Sequence, residues 1–291
     1  MSRIIVTIAL LVVLSDNPAN ADTVVQRGSY LVNTIMACGN CHTPRDARGT
    51  LIQERALSGG LTITTPAFVA TAPNITPDRD TGIGSWSDVD IKRALVEGVR
   101  PDHARLPGVA LAAVMPIGFY KALLPDDLDA IVAYLHTVKP VRNLVVDPGY
   151  NAPVHREPYP DADTGFAKTD FADPAKRGAY LVTIGHCMEC HSAWLATGPD
   201  YRDGLGRGGR RFETAIVHGL GNAWKGAVVP NITSDPTVGI GAWSEQEIIR
   251  AIRRGVARDG HRLNPPMAFA FYQGLSDADV SDIVAYLRTL K

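Results

Sequence analysis

The chain has 291 residues, of which 45% are hydrophobic and 20% are charged, and its formal net charge is −1. This length allows two domains of ordinary size. The balanced charge argues against nucleic-acid binding, because proteins that bind nucleic acids carry a basic excess.

The first 21 residues have the pattern of a secretory signal peptide. Arg3 precedes an apolar run at 4–14, and Ala19-Asn20-Ala21 suits signal cleavage. The run is shorter than the roughly 20 residues that cross a bilayer, although an uncleaved amphipathic anchor is an alternative. We expect a periplasmic protein that begins near Asp22. It would have no transmembrane anchor of its own and would reach a membrane only through a partner.

The rest of the sequence consists of two similar halves. Three segments recur in the same order, at 27–31 and 177–181, at 73–99 and 230–256, and at 126–138 and 277–290. A tandem order of this kind predicts two related domains rather than a solenoid of short repeats.

These matches define a first repeat at 22–140, an interrepeat segment at 141–172 and a second repeat at 173–291. The interrepeat segment is rich in Pro, Asp and Tyr and has neither helical nor strand periodicity. We therefore expect a linker that lies along the surface.

The regular elements of both repeats look helical. Ser87 and Ser244 are suitable N-caps, and Ser244 forms a capping box with Glu247. We predict an all-α fold, a tandem pair of domains that each have three main helices and long loops. So few helices make a thin core, and a large apolar cofactor would complete it.

Two glycines are expected to bring the first and last helices of each repeat together. Gly28 and Gly178 lack a Cβ atom and so allow a close approach. The tyrosine pairs of each repeat are then available for aromatic packing between those helices, Tyr30 with Tyr134 and Tyr180 with Tyr286.

All four cysteines lie in two motifs of the form Cys-x-x-Cys-His, namely Cys38-Gly-Asn-Cys41-His42 and Cys187-Met-Glu-Cys190-His191. A zinc site would bring the pairs together, and a thioredoxin-like motif would follow a strand. Haem c suits the spacing better, because two thiols on one helical turn can form thioethers while the adjacent His ligates iron. We predict two covalent haem c groups, one in each repeat.

The second iron ligand can be chosen among five methionines. Met1 belongs to the predicted signal peptide, and Met36 and Met188 lie on or beside the motifs, so Met115 and Met267 are the candidates. They occupy equivalent positions beside proline in the two repeats. His103 and His261 compete with them but are one position out of register, and we interpret them as surface residues.

Two further features have a functional and a structural interpretation. Trp86 and Trp243 are equivalent in the repeats and are candidate cofactor-binding residues, since an indole N–H can bind a haem propionate. Core packing is the alternative. The basic run at 202–211 would suit docking to a partner, but a solvated glycine-rich loop is the more common structure.

The motifs CGNCHTPRD, PNITPDRDTGIGSWS, VMPIGFY and DAIVAYL point to a known family. Each repeat resembles a class I cytochrome c domain, and the whole chain resembles the cytochrome c subunits of bacterial periplasmic dehydrogenases. These include quinoprotein alcohol dehydrogenase, flavin-dependent gluconate and sugar dehydrogenases and molybdenum hydroxylases. The resemblance implies His42 with Met115, and His191 with Met267, as axial ligands.

This chain departs from the alcohol and sugar dehydrogenase subunits in two ways. Those subunits usually have three haem motifs and a C-terminal membrane-binding segment, whereas this sequence has two motifs and no such tail. The departure leaves the specific dehydrogenase, and any reduction of quinone, undetermined.

The expected function is that of a periplasmic di-haem electron-transfer cytochrome and not of an enzyme. It would take single electrons from a dehydrogenase and pass them to a cytochrome or a terminal oxidase. The alternative is a di-haem enzyme such as a cytochrome c peroxidase, with one displaceable ligand, or a thiosulfate-oxidising cytochrome. An independent electron shuttle would share the same residues. The pair Met115 and Met267 favours electron transfer, because ligation on both faces closes the iron to substrate.

Overall fold

A computed structural model describes residues 18–196 and 198–291. Positions 1–17 of the predicted signal peptide lie outside the described residues, and positions 18–21 belong to the first helix. Within the two described ranges, no helix is long and apolar enough to cross a membrane.

The helices occur in the same order in both repeats. Those of the first repeat are α1 (Pro18–Asn33), α2 (Cys38–His42), α3 (Asp88–Val96), α4 (Ile117–Tyr120) and α5 (Pro125–Thr137). A short helix α6 (Pro160–Thr164) follows in the interrepeat segment. Those of the second repeat are α7 (Pro174–Ile184), α8 (Cys187–His191), α9 (Glu245–Arg254), α10 (Phe269–Tyr272) and α11 (Asp277–Leu287). Single 3-10 turns occupy Gln53–Arg55 and Lys168–Ala172.

The prediction of an all-α fold is wrong, because the long loops contain short strands. They are β1 (Thr62–Thr64), β2 (Phe68–Thr71), β3 (Gly149–Tyr150), β4 (Ala193–Leu195), β5 (Gly198–Asp200), β6 (Arg211–Phe212), β7 (Val217–His218) and β8 (Ala227–Val228). Each has two to four residues, which is too short to leave a period of two in the sequence.

The predicted helix caps are present. Ser87 and Ser244 accept a bond from the backbone N–H three residues later, and both form complete capping boxes, with Asp90 and Glu247 respectively. Pro125 occupies the first turn of α5, where a missing N–H costs no helical bond.

Gly28 and Gly178 bring the first and last helices of each repeat into contact, as predicted. A Cβ atom at Gly28 would lie 1.8 Å from the carbonyl oxygen of Ala130 on α5. The equivalent atom at Gly178 would lie 1.9 Å from the carbonyl oxygen of Asp282 on α11. Only glycine allows this approach, and the pairs α1–α5 and α7–α11 form the frame of each repeat.

A four-stranded antiparallel sheet joins the second repeat to the first. Its strand order is β3-β2-β1-β7, and β1 pairs antiparallel with β7 through Thr62 opposite His218 and Ile63 opposite Val217. A backbone bond from Asn222 to the carbonyl of Ala47 continues this contact. The segment of the second repeat around β7 and Asn222 therefore folds onto the loop of the first repeat.

The interrepeat segment is not confined to the surface, and that prediction is wrong. Tyr159 is 1% exposed, and its ring centroid lies 4.4 Å from that of Phe119 and 5.3 Å from that of Tyr201. Ala162 on α6 is also buried. The segment thus supplies part of the core between the two repeats.

One hydrophobic core runs through both repeats. It includes Leu31 on α1, Ile35 and Met36 just after α1, and Leu181 and Met188 from the second repeat. Met36 and Met188 are 1% and 0% exposed, so both side chains pack within this core.

A buried aspartate binds the two repeats together. Asp127 on α5 receives two bonds of 2.8 Å from Arg27 of α1 and one of 2.5 Å from the hydroxyl of Tyr180 on α7. The same hydroxyl accepts a bond from the backbone N–H of Leu124. The carboxylate therefore unites three helices, two from one repeat and one from the other.

The same arrangement occurs in the opposite direction. Asp279 on α11 binds Arg177 of its own repeat and the hydroxyl of Tyr30 from α1, and that hydroxyl accepts from the N–H of Ser276. We call these two clusters the reciprocal Arg–Asp–Tyr clusters. Tyr30 and Tyr180 thus bind the opposite repeat, and their expected packing against Tyr134 and Tyr286 is wrong.

The tyrosine hydroxyls of these clusters should contribute to stability. Tyr30→Phe and Tyr180→Phe should each lower the free energy of unfolding by about 1.5–3 kcal/mol, because each loses a bond to a buried charge. Tyr134→Phe is the control, since its hydroxyl accepts only a neutral 2.7 Å bond from Asn33 inside one repeat. It should cost about 0.5–1.5 kcal/mol. Urea unfolding measures all three, and equal losses would contradict the interpretation.

Asp127 should make stability fall in acid. Burial raises its pKa, but the bonds from Arg27 and Tyr180 outweigh burial and hold the pKa below its ordinary value. Such a carboxyl stabilises the fold fully above its unfolded pKa of about 3.9, and this contribution disappears as the pH falls through the folded value. Wild type should therefore lose more thermal stability below about pH 5 than Asp127→Asn does. Parallel pH profiles for the two proteins would be the contrary result.

Candidate functional site

The two Cys-x-x-Cys-His motifs form the one-turn helices α2 and α8, which we call the motif helices. Each begins after a residue in the left-handed region, Ala37 at φ 47° or His186 at φ 43°. Residues with a Cβ atom rarely adopt this conformation. The sharp turn changes the chain direction between α1 and α2 and between α7 and α8. Because it occurs in both repeats, the two repeats have the same local structure at this point.

The motif histidines are buried and have matching partners. Nδ1 of His42 lies 2.8 Å from the carbonyl oxygen of Pro73, and Nδ1 of His191 lies 2.9 Å from that of Pro230. A carbonyl oxygen only accepts, so Nδ1 carries the proton in both rings and Nε2 has a free lone pair. Burial lowers the pKa of both imidazoles more than the carbonyl bond raises it. Each ring therefore presents a neutral, oriented Nε2 that could bind a metal ion.

The prolyl carbonyls are held in place by an asparagine turn. Oδ1 of Asn74 accepts bonds from the backbone N–H and the hydroxyl of Thr76, at 3.0 and 2.7 Å. Oδ1 of Asn231 accepts the same two bonds from Thr233, at 2.8 and 2.7 Å. The repeated sequence Pro-Asn-Ile-Thr thus forms an Asx turn that directs its proline carbonyl at the histidine.

The geometry of the cysteines argues against zinc and against thiol redox chemistry. All four are free of disulfides, and in the two ranges that the structure covers no three His, Cys, Asp or Glu side chains converge as a metal site. Burial raises the pKa of the Cys38, Cys187 and Cys190 thiols to about 12. A catalytic Cys-x-x-Cys has a lowered thiol pKa instead.

The candidate methionines lie in equivalent loops. Met115 precedes α4 and Met267 precedes α10, and in each loop the carbonyl of the methionine accepts a bond from the N–H two residues later, at 2.8 and 3.0 Å. Both side chains are half-buried against the shared core. This burial leaves part of each thioether free to contact a cofactor.

The competing histidines are on the surface, as predicted. His103 is exposed and lies 3.2 Å from the carbonyl oxygen of Ser85, and His261 is exposed beside Asp259. Neither lies in a cavity with a motif histidine, so they are not ligand candidates.

Trp86 and Trp243 are half-buried and pack against the core. Among the residues described, no protein acceptor bonds to either indole N–H, whereas Trp224 donates its own to Pro265. A half-buried N–H without a protein partner is available to an anion such as a propionate. Core packing and cofactor binding are therefore compatible at both positions.

Within the basic run at 202–211, Arg202, Arg207 and Arg211 are exposed, whereas Arg210 is held by neighbouring groups. The guanidinium of Arg210 lies 3.9 Å from the ring centroid of Trp194 and 4.4 Å from that of Phe212, and it donates to the backbone carbonyl of Glu189. This arginine holds the loop against the motif helix α8, which favours a structural role for it.

The motif helices lie where the two repeats meet, which the sequence did not predict. A Cβ atom at Gly39 in α2 would lie 2.8 Å from the ring of Phe271 on α10 of the other repeat. In the opposite direction, the ring of His186 stacks edge-on against Tyr120 of α4, with centroids 6.1 Å apart. The recurrence of Phe-Tyr after each candidate methionine is the sequence signal that could have indicated these contacts.

Comparisons with known proteins agree with this geometry. Residues 175–291, nearly the whole second repeat, match the family model for cytochrome c. The chain is 31% identical to the fructose dehydrogenase cytochrome subunit of Gluconobacter japonicus, over 91% of this chain and 52% of that protein. It is 30% identical to the gluconate 2-dehydrogenase cytochrome c subunit of Pantoea cypripedii, over 95% and 62%. A diheme cytochrome c-type protein of Cereibacter sphaeroides is 28% identical, over 86% and 81%.

These matches confirm the resemblance inferred from the motifs. The chain carries a cytochrome c domain, and the cofactor of such a domain is covalent haem c. It is similar to cytochrome subunits of dehydrogenase complexes, and it spans 52% of the fructose dehydrogenase subunit and 58% of a quinone-dependent alcohol dehydrogenase subunit.

The Asx turns should matter for stability to different degrees. Asn74 is 3% exposed, and its Nδ2 also donates to the carbonyl of Val141 and to Thr81. Asn74→Ala should lower the free energy of unfolding by about 2–3 kcal/mol, because buried groups lose their partners. Asn231→Ala, at the less buried equivalent, should cost about 1 kcal/mol. Urea unfolding of the haem-loaded protein tests this order, and a larger loss at Asn231 would contradict it.

Proposed function

We propose that this chain, which carries a cytochrome c domain, is a di-haem c-type cytochrome that transfers single electrons for a dehydrogenase. The observation that carries the proposal is the duplicated histidine geometry. Both motif histidines are buried, neutral and bonded through Nδ1 to a prolyl carbonyl, at 2.8 and 2.9 Å. Second-shell bonds of this kind orient a histidine that binds a metal through its other nitrogen.

The side chains of each repeat fit haem c. In the first repeat Cys38 and Cys41 would form the thioethers, and His42 and Met115 would be the axial ligands. In the second repeat Cys187 and Cys190 would form the thioethers, with His191 and Met267 as ligands. Haem supplies one-electron chemistry when bound, and ligation by His and Met favours its reduced form.

Trp86 and Trp243 complete the proposed set of cofactor-binding residues. Each presents an indole N–H for which the described part of the protein offers no acceptor, beside a buried segment. A propionate there would gain a bond that offsets part of its cost of burial.

A dehydrogenase is the proposed electron donor, and a cytochrome or terminal oxidase the acceptor. The relatives are named as cytochrome subunits of fructose, alcohol and gluconate dehydrogenases. The signal-peptide pattern at 1–21 supports a periplasmic location. Binding to the partner would then place the protein at a membrane.

The methionines distinguish this function from that of an enzyme. Met115→His and Met267→His should each lower one reduction potential and remove roughly half of the near-infrared Met-to-iron band, because each replaces one of two thioether ligands. Met36→Leu is the matched control, since Met36 is buried in the core. It should leave the band unchanged.

The protein used for this test is first shown by mass spectrometry to carry two covalent haems. A single haem would contradict the di-haem proposal. One high-spin haem in the oxidised wild type would contradict closed ligation and favour a peroxidase-like enzyme.

A further inference from the structure

The loop that carries Met267 is held by groups from outside the loop. The carbonyl oxygen of Pro265 accepts a 2.9 Å bond from the indole N–H of Trp224. The carbonyl oxygen of Pro266 accepts a 2.7 Å bond from Nδ2 of Asn40. Proline has no backbone N–H that could donate a hydrogen bond. The two bonds to the proline carbonyls therefore help to position the backbone that leads into Met267.

Asn40 belongs to the other repeat and lies inside its motif helix, between Cys38 and Cys41. Arg45 donates to the backbone oxygen of Asn40 and to its Oδ1, both at 2.7 Å. Because a guanidinium only donates, Oδ1 must face Arg45 and Nδ2 must face Pro266. The orientation of the amide is therefore set by its partners.

The bond lies in a packed contact between the two repeats. The ring of Phe271, four residues after Met267, covers Gly39, the neighbour of Asn40. A side chain at Gly39 would displace this ring, so the motif helix α2 and the loop before α10 fit closely. The bond is partly buried in this contact, and a partly buried hydrogen bond is stronger than one at the surface.

The corresponding loop of the first repeat is held differently. The carbonyl of Leu111 accepts from Arg156, and that of Ala110 accepts from Tyr150 and from Arg100. Arg100 belongs to the first repeat, and Arg156 and Tyr150 to the interrepeat segment. The loop before Met115 therefore depends on its own repeat and on the segment that follows it.

The residue equivalent to Asn40 confirms the asymmetry. It is Glu189, whose carboxylate lies 3.2 Å from Nδ1 of His186 within its own repeat. Across the residues that the structure describes, its side chain makes no hydrogen bond to the loop before Met115. The contact between a motif helix and the opposite methionine loop thus exists in one direction only.

We propose that Asn40 is a positioning residue for Met267, so that the first motif helix controls the distal ligand of the second repeat. This inference rests on the proposed role of Met267 as an iron ligand. A thioether is a weak ligand, and its hold on iron depends on the loop that presents it. Loss of the Asn40 bond should loosen this loop and leave Met115 unaffected.

Asn40→Asp tests the proposal, because aspartate keeps the shape and the contact with Arg45 but replaces the donor to Pro266 with a carboxylate oxygen that repels the Pro266 carbonyl. The readout is the concentration of imidazole that replaces half of the methionine signal of each haem in the near infrared. For the second site this concentration should fall about five- to thirtyfold, the effect of losing one well-formed hydrogen bond. The first site should respond as in wild type. Glu189→Gln, at the matched position, should change neither site.

Met267→His identifies which part of the signal belongs to the second site and separates the two proposals. An unchanged signal in Met267→His would mean that Met267 is not a ligand, whatever Asn40 does. A wild-type imidazole response in Asn40→Asp, together with loss of the second signal in Met267→His, would overturn the role of Asn40 alone. Equal weakening of both sites in Asn40→Asp would also overturn it, since a general loss of stability acts on both.

Discussion

The buried carboxylates of Asp127 and Asp279 are the constraint on which the arrangement of the two repeats depends. A charge at 6% or 3% exposure is costly unless donors match it closely. Each aspartate finds an arginine in its own repeat and a tyrosine in the other. The first helix of each repeat is therefore bonded both to the last helix of its own repeat and to the last helix of the other repeat. Each motif helix follows a first helix after one sharp turn. The clusters that fix the first helices therefore also determine how the motif helices are oriented.

The two candidate sites have equivalent histidine surroundings, but their methionine loops are held by different residues. Each motif histidine is oriented by a proline carbonyl, and each carbonyl by an asparagine turn, so the proximal sides of the two sites are equivalent. The methionine loops differ, because one is held by Arg156 and Tyr150 and the other by Asn40 and Trp224. Two sites with the same proposed ligands can in this way have different properties.

Much of the local structure was predictable from short sequence patterns. The N-caps at Ser87 and Ser244 and the capping box of Ser244 depend on residues near one another in the chain. These predictions were correct because cap energetics are local. The close approaches at Gly28 and Gly178 join helices that are distant in the chain, and they were predictable because only glycine allows such contacts.

The incorrect predictions concern contacts between distant segments. Strand β7 has two residues and forms by pairing with the edge of β1 in the other repeat. A strand this short leaves no periodic pattern in the sequence. Tyr159 looked like part of a surface linker because its neighbours are Pro and Asp, yet its ring fills a space between Phe119 and Tyr201. Tyr30 and Tyr180 looked like partners within a repeat because only the chain order was visible.

Residue order alone was sufficient to indicate two cytochrome-like repeats and to propose their ligand residues, because covalent attachment and ligation need specific residue types at short, constant spacings. The three-dimensional packing was needed to show that the repeats share one core and that a tyrosine of each repeat bonds to an aspartate of the other. It was also needed to show that the first repeat supports the methionine loop of the second. Those contacts join residues up to 249 positions apart. Their formation depends on how whole helices fit together, and no short segment of the chain contains that information.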